Sequence, residues 1–362
     1  MKTDLSLQQL AAELTRQTES RKDYIAPQGK IEAAPVDGDI VLNGINGGLG
    51  ITPYAHAQLA DHLDIPKKYY DRMKTETPDL LAVNVNRWLS RDPENKRMIR
   101  TLDGKVRAVL SPKFRPLDNF DLANAVLPTL IQQNAQIVSS SLTETRMYIK
   151  AILPGLSDEL PDGLSYGGHN RIGTDRGHLV AAIVISNSDI GAGTLRVEPS
   201  VFTTFCTNLA IRAQAAMKKY HTGRTWEADA AYEVFTDATR KADDSAFWMK
   251  VQDITKAAFD EKSFRAAVAE MRAAGQKALT SDNLQAVIEA TVEEFKLPVS
   301  TVNPLLKQLA AGGDFTAWGL SSAITRVAGD VDDYELATSM ERAGGLVIDL
   351  PATNWKRIAE AA

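Results

Sequence analysis

The sequence predicts an α+β fold, and three observations carry that expectation. Two strand-like runs, RMIRTL and KVRAVL, flank the dipeptide Asp103-Gly104, the pattern of a two-residue β-hairpin. Four more short apolar runs, AQIVSSSL, TRMYIKAIL, LVAAIVIS and TLRVE, are each bounded by turn residues. Beyond residue 225 strand signals almost vanish, and alanine-rich segments with helical spacing take over. The expected division is a peripheral helix and linker over 1–35, an α+β core with a basic hairpin over 36–225, and a helical C-terminal region over 226–362. Within the core the predicted order is hairpin, helix, antiparallel sheet, helix, preceded by an N-terminal helical subdomain.

Each element has its own local warrant. Leu7, Leu10 and Leu14 recur at helical spacing, and AAPVDGDI after them reads as a linker. IVLNGINGGLGIT holds two turn signals, Asn43-Gly44 and Asn46-Gly47, between short apolar runs, which suits a hairpin. From Pro53 the spacing of Ala57, Leu59, Ala60 and Leu63 is helical. Asp64-Ile65-Pro66 then turns the chain, and KKYYDRMKTE resumes a helix, so a helical subdomain is expected over about 53–90. Asp118 stands where an N-cap would, ahead of a stripe of Leu122, Ala123, Val126, Leu127, Leu130 and Ile131. A closing helix is expected from Pro199 to Lys219, with Phe202, Phe205, Cys206, Leu209, Ala213 and Met217 along one face. Segments 227–274, 281–296 and 317–345 read as helices, punctuated by Gly275, Pro298 and Gly312-Gly313.

Composition bounds the function. With 362 residues, 44% of them apolar, the chain can bury a core without metals or disulfides. The single cysteine excludes an intramolecular disulfide and fits a reducing, cytoplasmic compartment. The longest purely apolar run, Leu179 to Ile185, is far short of the ~20 residues that cross a bilayer, so no membrane partner is expected. The start, MKTDLSLQQL, has no apolar core of a secretion signal. A net charge of −5 speaks mildly against coating nucleic acid, but its distribution speaks the other way. From Arg87 to Arg115 the chain carries Arg87, Arg91, Lys96, Arg97, Arg100, Lys105, Arg107, Lys113 and Arg115 against Asp92, Glu94 and Asp103, a local charge of +6.

The hairpin concentrates this charge. A simple two-residue turn pairs Leu102 with Lys105, Arg100 with Arg107 and Met98 with Val109 on an outward face. Arg97, Ile99, Thr101, Val106, Ala108 and Leu110 then face a core. Like charges in register are destabilising, so a carboxylate or a bound anion must compensate them. A phosphate backbone would serve, and the expected contacts are Arg97, Arg100, Lys105, Arg107, Lys113 and Arg115, with Phe114 as a stacking face. The competing expectation is a hairpin whose arginines pair with acidic groups elsewhere. A second basic stretch adds Lys218, Lys219, Tyr220 and Arg224 as candidates, although lysines there also suit the end of a helix.

No catalytic residue, metal site or cofactor is expected. Cys206 lies on an apolar stripe and reads as structural. The five histidines form no zinc pattern, and GGHNRIGTDRGH reads as a surface loop. GINGGLG lacks the order of a dinucleotide or phosphate loop, and SNSDIGAG offers a single acid, Asp189, to a cation.

Several linked runs resemble a known family. YAHAQLADHLDIPKKYYDRM, NVNRWLSRDPENKRMIRTLDGKVRAVLSPKFRPLDN and ISNSDIGAGTLRVEPSVFTTFCTNLAI look like the phage/plasmid-like family catalogued as domain of unknown function 932. FTAWGLSSAITRVA is similar to that family's closing segment, so the resemblance covers roughly 50–345. Where many relatives have glycine after Cys-Thr-Asn this chain has Leu209, which favours a continuous helix there. The resemblance implies a phage or mobile-element setting in a bacterial host cell, beside recombination and replication, and it transfers no catalytic residue. The predicted order of elements is also similar to single-strand annealing proteins, which assemble as rings or filaments and lay single-stranded DNA along a basic groove. That likeness implies single-stranded DNA as partner and a homo-oligomer. The alternative is a protein-interaction module acting on a host protein through the C-terminal third, with Trp318, Trp355 and the acidic run DVDDYE. An enzyme built on the His169–His178 loop and Asp189 has the least support in the pattern.

Overall fold

Asp103 (φ 52°) and Gly104 (φ 73°) adopt the left-handed turn that a two-residue hairpin requires. The computed structural model describes residues 5–159, 178–203, 208–211, 217–219 and 237–362, and its first sheet is built around this hairpin. Helix α1 (Leu7–Ser20) leads to β1 (Lys22–Pro27), β2 (Glu32–Val36), β3 (Asp39–Asn43) and β4 (Leu49–Ile51). Three helices follow, α2 (Pro53–His62), α3 (Lys67–Glu76) and α4 (Pro78–Leu89), then the hairpin β5 (Lys96–Leu102) and β6 (Lys105–Leu110). The strand order is β1-β5-β6-β4-β3-β2, antiparallel except where β4 runs beside β6. The predicted helical subdomain lies on one face of this sheet. Leu59, Tyr70, Leu81 and Val85 pack there against Ile40, Leu42, Ile99 and Val106.

The second sheet follows α5 (Asn119–Gln132) and comprises β7 (Gln136–Leu142), β8 (Met147–Glu159), β9 (His178–Asn187), β10 (Leu195–Thr203) and β11 (Asn208–Ile211). It is antiparallel in the order β11-β10-β9-β8-β7, and β12 (Met217–Lys219) also pairs with β10. Met147, Ile149, Ile183 and Ile185 share a core with Leu10 and Leu14 of α1 and with Leu122, Val126 and Leu130 of α5. The C-terminal third is helical, as predicted: α6 (Asp237–Ala257), α7 (Glu261–Ala274), α8 (Leu284–Glu294), α9 (Val302–Gly312), α10 (Ala317–Ala328), α11 (Tyr334–Ile348) and α12 (Ala352–Ala359). Polar groups on α11 meet the second sheet. Glu341 pairs with Lys150, each with a side chain 1% exposed, and Arg342 holds Glu198 through two hydrogen bonds.

Three predicted elements are corrected. The linker AAPVDGDI is a hairpin instead, β2 against β3, turned at Asp37 (φ 48°) and Gly38 (φ 82°). Its Asp-Gly signal is masked by Ala33, Ala34 and Pro35, poor strand formers tolerated at a sheet edge. Where it is described, the segment expected as a helix from Pro199 to Lys219 is strand: β10 continues to Thr203, and β11 and β12 pair back on it. Pairing along β9, from Arg196↔Ser186 to Thr203↔Leu179, overrides the helical spacing in a run rich in strand-forming Val201, Phe202 and Thr203. Phe205, Cys206 and Ala213 of the supposed stripe lie outside the described residues. Ile131 is exposed on α5, and Ala125 takes part in the buried stripe. Among the described residues no helix is long and apolar enough to cross a membrane.

Candidate nucleic-acid interface

The hairpin begins in the expected register, Leu102↔Lys105, and then departs from it. A bulge between the partners of Arg100 and Thr101 makes Thr101 face Val106 but Arg100 face Ala108, leaving Arg107 as the extra residue. Arg100 and Arg107 are therefore not a cross-strand pair. They do not face solvent either, being 1% and 7% exposed. Both sides of the hairpin are covered. Ile99, Val106 and Val109 pack under the helices, while Met98, Ala108 and Leu110 pack on Ile190 from the β9–β10 connection.

Carboxylates, not an external anion, compensate the two arginines. Arg100 Nε donates to Asp23 Oδ1 (2.8 Å) and Nη2 to Asp118 Oδ1 (2.7 Å), while Nη1 donates to the Asp189 carbonyl. Arg107 meets the Asp189 carboxylate end on, Nη2 donating to Oδ1 at 3.1 Å and Nη1 to Oδ2 at 3.3 Å. Arg21 takes the other oxygen of Asp118 at 2.8 Å. Asp118 thus precedes α5 without capping it through its side chain. Burial opposes the charge on Arg100, but Asp118, Asp189 and Asp23 outweigh it and raise its pKa above the ordinary arginine value. Three guanidiniums face three carboxylates, so no net charge remains in this cluster to attract a phosphate.

The connection SNSDIGAG supplies the partner. Ile190 is fully buried among Met98, Ala108 and Leu110, and Gln58 ties its carbonyl (2.9 Å) to the Val109 amide (2.8 Å). Gly191 (φ 82°) lies so close to Leu110 that a Cβ there would sit 2.9 Å from its Cδ2. Asp189, considered above for a cation, is taken by Arg107.

The remaining predicted contacts scatter. Phe114 packs half-buried beside Ile190. Arg115 pairs with Asp243 (2.8 Å) and Asp244 and lies over Phe247. Arg97 is half-buried, with the Gln28 side-chain amide within 2.9 Å of its guanidinium. Lys105 is exposed at the turn and Lys113 is exposed beyond the hairpin. Lys218 and Lys219 stand on β12 opposite Arg196 and Leu195, whereas Tyr220, Arg224 and His169 lie outside the described residues. Trp318 is buried, and Trp355 packs half-buried against the core.

The charge pattern does not pick out one further residue, which carries no charge itself. Trp88, in the last turn of α4, is 38% exposed and lines an open depression with Arg87, Ser90 and Arg91. Its Nε1 donates to Asn84 Oδ1 (2.8 Å) one turn back, and the Arg91 guanidinium lies 5.0 Å from the ring centroid. The signal was legible as an aromatic between two arginines at a helix end. A separate buried group, His56, contacts the Tyr70 hydroxyl (2.8 Å) and lies 3.4 Å from Asp39; burial, aided by Lys74, pushes its pKa down to about 4. Comparison with family models, with curated proteins and with solved structures finds no match for this chain.

Proposed function

We propose that the protein binds nucleic acid through its phosphates, with single-stranded DNA as the expected ligand, in the recombination or replication of a phage or mobile element. One observation supports this most: Arg87, Arg91, Lys96, Lys105 and Lys113 all stay exposed within one segment of an otherwise acidic chain. Exposed cations in such a run neutralise phosphates and release counterions, which needs no sequence-specific contact. Arg100 and Arg107 leave the contact set, because they are occupied in holding the two sheets together. Few phosphate contacts per chain bind weakly, so a homo-oligomer repeating them along a strand is part of the proposal.

Fluorescence anisotropy with labelled oligonucleotides at two or more salt concentrations tests it. Affinity should fall with salt on a log–log slope of roughly −0.7 for each phosphate contact to a single strand. Absence of binding at low salt would overturn the proposal.

A further inference from the structure

We infer that the depression at the end of α4 is a stacking subsite for one unpaired base, with the Trp88 indole as its floor and Arg87 and Arg91 on the flanking phosphates. This rests on the nucleic-acid proposal and adds to it a feature that phosphate contacts alone do not provide, a requirement for bases free of pairing.

Among the described tryptophans, exposure singles out the Trp88 indole. Trp318 is buried, and Trp248 and Trp355 pack against the core, whereas Trp88 leaves much of its ring open. An exposed indole forgoes the burial that places the other three described tryptophans, so a partner surface is the physical counterpart it lacks. The ring is also held. Its one polar atom is spent on Asn84 of the same helix, which fixes the indole edge, and the Arg91 guanidinium lies over the ring, so an incoming base shares the ring with that cation. A platform oriented in advance loses little freedom when a base settles on it.

The cations beside it are in a different state from Arg100, Arg107 and Arg115. Among the described residues, Arg100, Arg107 and Arg115 sit in ion pairs, while neither Arg87 nor Arg91 does. Arg91 lies over the Trp88 ring at 5.0 Å, a cation–π contact that keeps the guanidinium beside the platform with its N–H donors available. An aromatic face with uncompensated guanidiniums on either side in sequence matches a nucleotide, a flat base between two phosphates. A duplex keeps its bases stacked on each other and cannot present one to this ring.

The test uses the full-length protein with three probes of equal length: an oligothymidine, the same backbone with abasic sites throughout, and a duplex. Wild type should bind the oligothymidine roughly tenfold or more tightly than the abasic strand, the size of one base–aromatic contact. Trp88→Ala should bring the oligothymidine down to the abasic affinity, and Trp88→Phe should restore most of the difference. Arg91→Gln should weaken both strands. Equal binding of base-bearing and abasic strands by wild type, or full affinity in Trp88→Ala, would overturn the subsite while leaving phosphate binding intact. No binding of any probe at low salt would overturn the nucleic-acid proposal itself, and the subsite with it.

Discussion

Arg107 and Asp189 form a two-point ion pair, 3.1 Å and 3.3 Å between heavy atoms, across 82 residues of sequence. Through it the bulged strand of the first sheet grips the β9–β10 turn of the second, directly beside the buried Ile190. Charge that looks like a ligand site in the sequence is an internal joint between the two sheets. Both side chains are buried, so removing either one strands an uncompensated charge in the interior.

Asp189→Ala or Arg107→Ala alone should each lower unfolding stability by about 3–5 kcal/mol. The double variant Arg107→Met with Asp189→Leu should recover most of that loss, because neither charge is then left alone. Urea denaturation of the three variants measures the coupling, and independent, additive losses would contradict it.

What the sequence reveals about this joint divides at the bulge. Asp103-Gly104 is legible because the turn is dictated locally, by two residues that accept positive φ. The bulge at Arg107 is not, because a partner far along the chain stabilises it: Asp189 pulls the guanidinium inward and Ile190 fills the face it vacates. The same contrast explains β10, whose tail is strand because β9 lies beside it. Strands β7, β8, β9 and the start of β10 announce themselves as short apolar runs bounded by turn residues, and the C-terminal helices by helical spacing. Trp88 stands in plain view between Arg87 and Arg91, but only its exposure at the end of α4 separates it from a core aromatic.

Acid should destabilise the first subdomain through His56. Its imidazole is buried against Tyr70, with Asp39, Lys74, Asp71 and Lys67 as the charged neighbours, and its folded pKa of about 4 lies below the 6.5 of a free imidazole. Between those values the unfolded chain takes up a proton that the folded chain refuses. The stability is therefore full above pH 6.5 and falls as pH drops toward 4, by about 3 kcal/mol at the limit. Urea midpoints of wild type and His56→Gln at neutral and mildly acidic pH isolate this group from the carboxylates. A variant with the same acid sensitivity as wild type would exclude His56 as the source.

Gly345→Ala should destabilise through packing alone. A Cβ at this position on α11 would stand 2.1 Å from the Ile211 carbonyl oxygen of β11, so helix or strand must move. Overpacking of this kind costs about 1–3 kcal/mol, and thermal melting should show it. An unchanged melting temperature would mean that α11 does not rest on β11 at this distance.

Lys105 and Arg100 lie in the same hairpin and should respond to substitution in opposite ways. Lys105 is exposed at the turn, whereas Arg100 is buried among Asp23, Asp118 and the Asp189 carbonyl. Neutralising Arg100 as Arg100→Gln leaves acidic partners without their cation and should cost about 3 kcal/mol or more in stability. Lys105→Gln and Lys96→Gln should leave melting unchanged, since exposed charges contribute little to folding. On oligonucleotide binding the order reverses. Each lysine that meets a phosphate should flatten the log–log salt slope by about 0.7 when neutralised, with affinity falling most at low salt. Stability and binding measured on the same three variants therefore separate the joint from the interface. A lysine variant that melts early, or an Arg100 variant that stays stable and changes only the salt slope, would reverse the assignment of the two sets of cations.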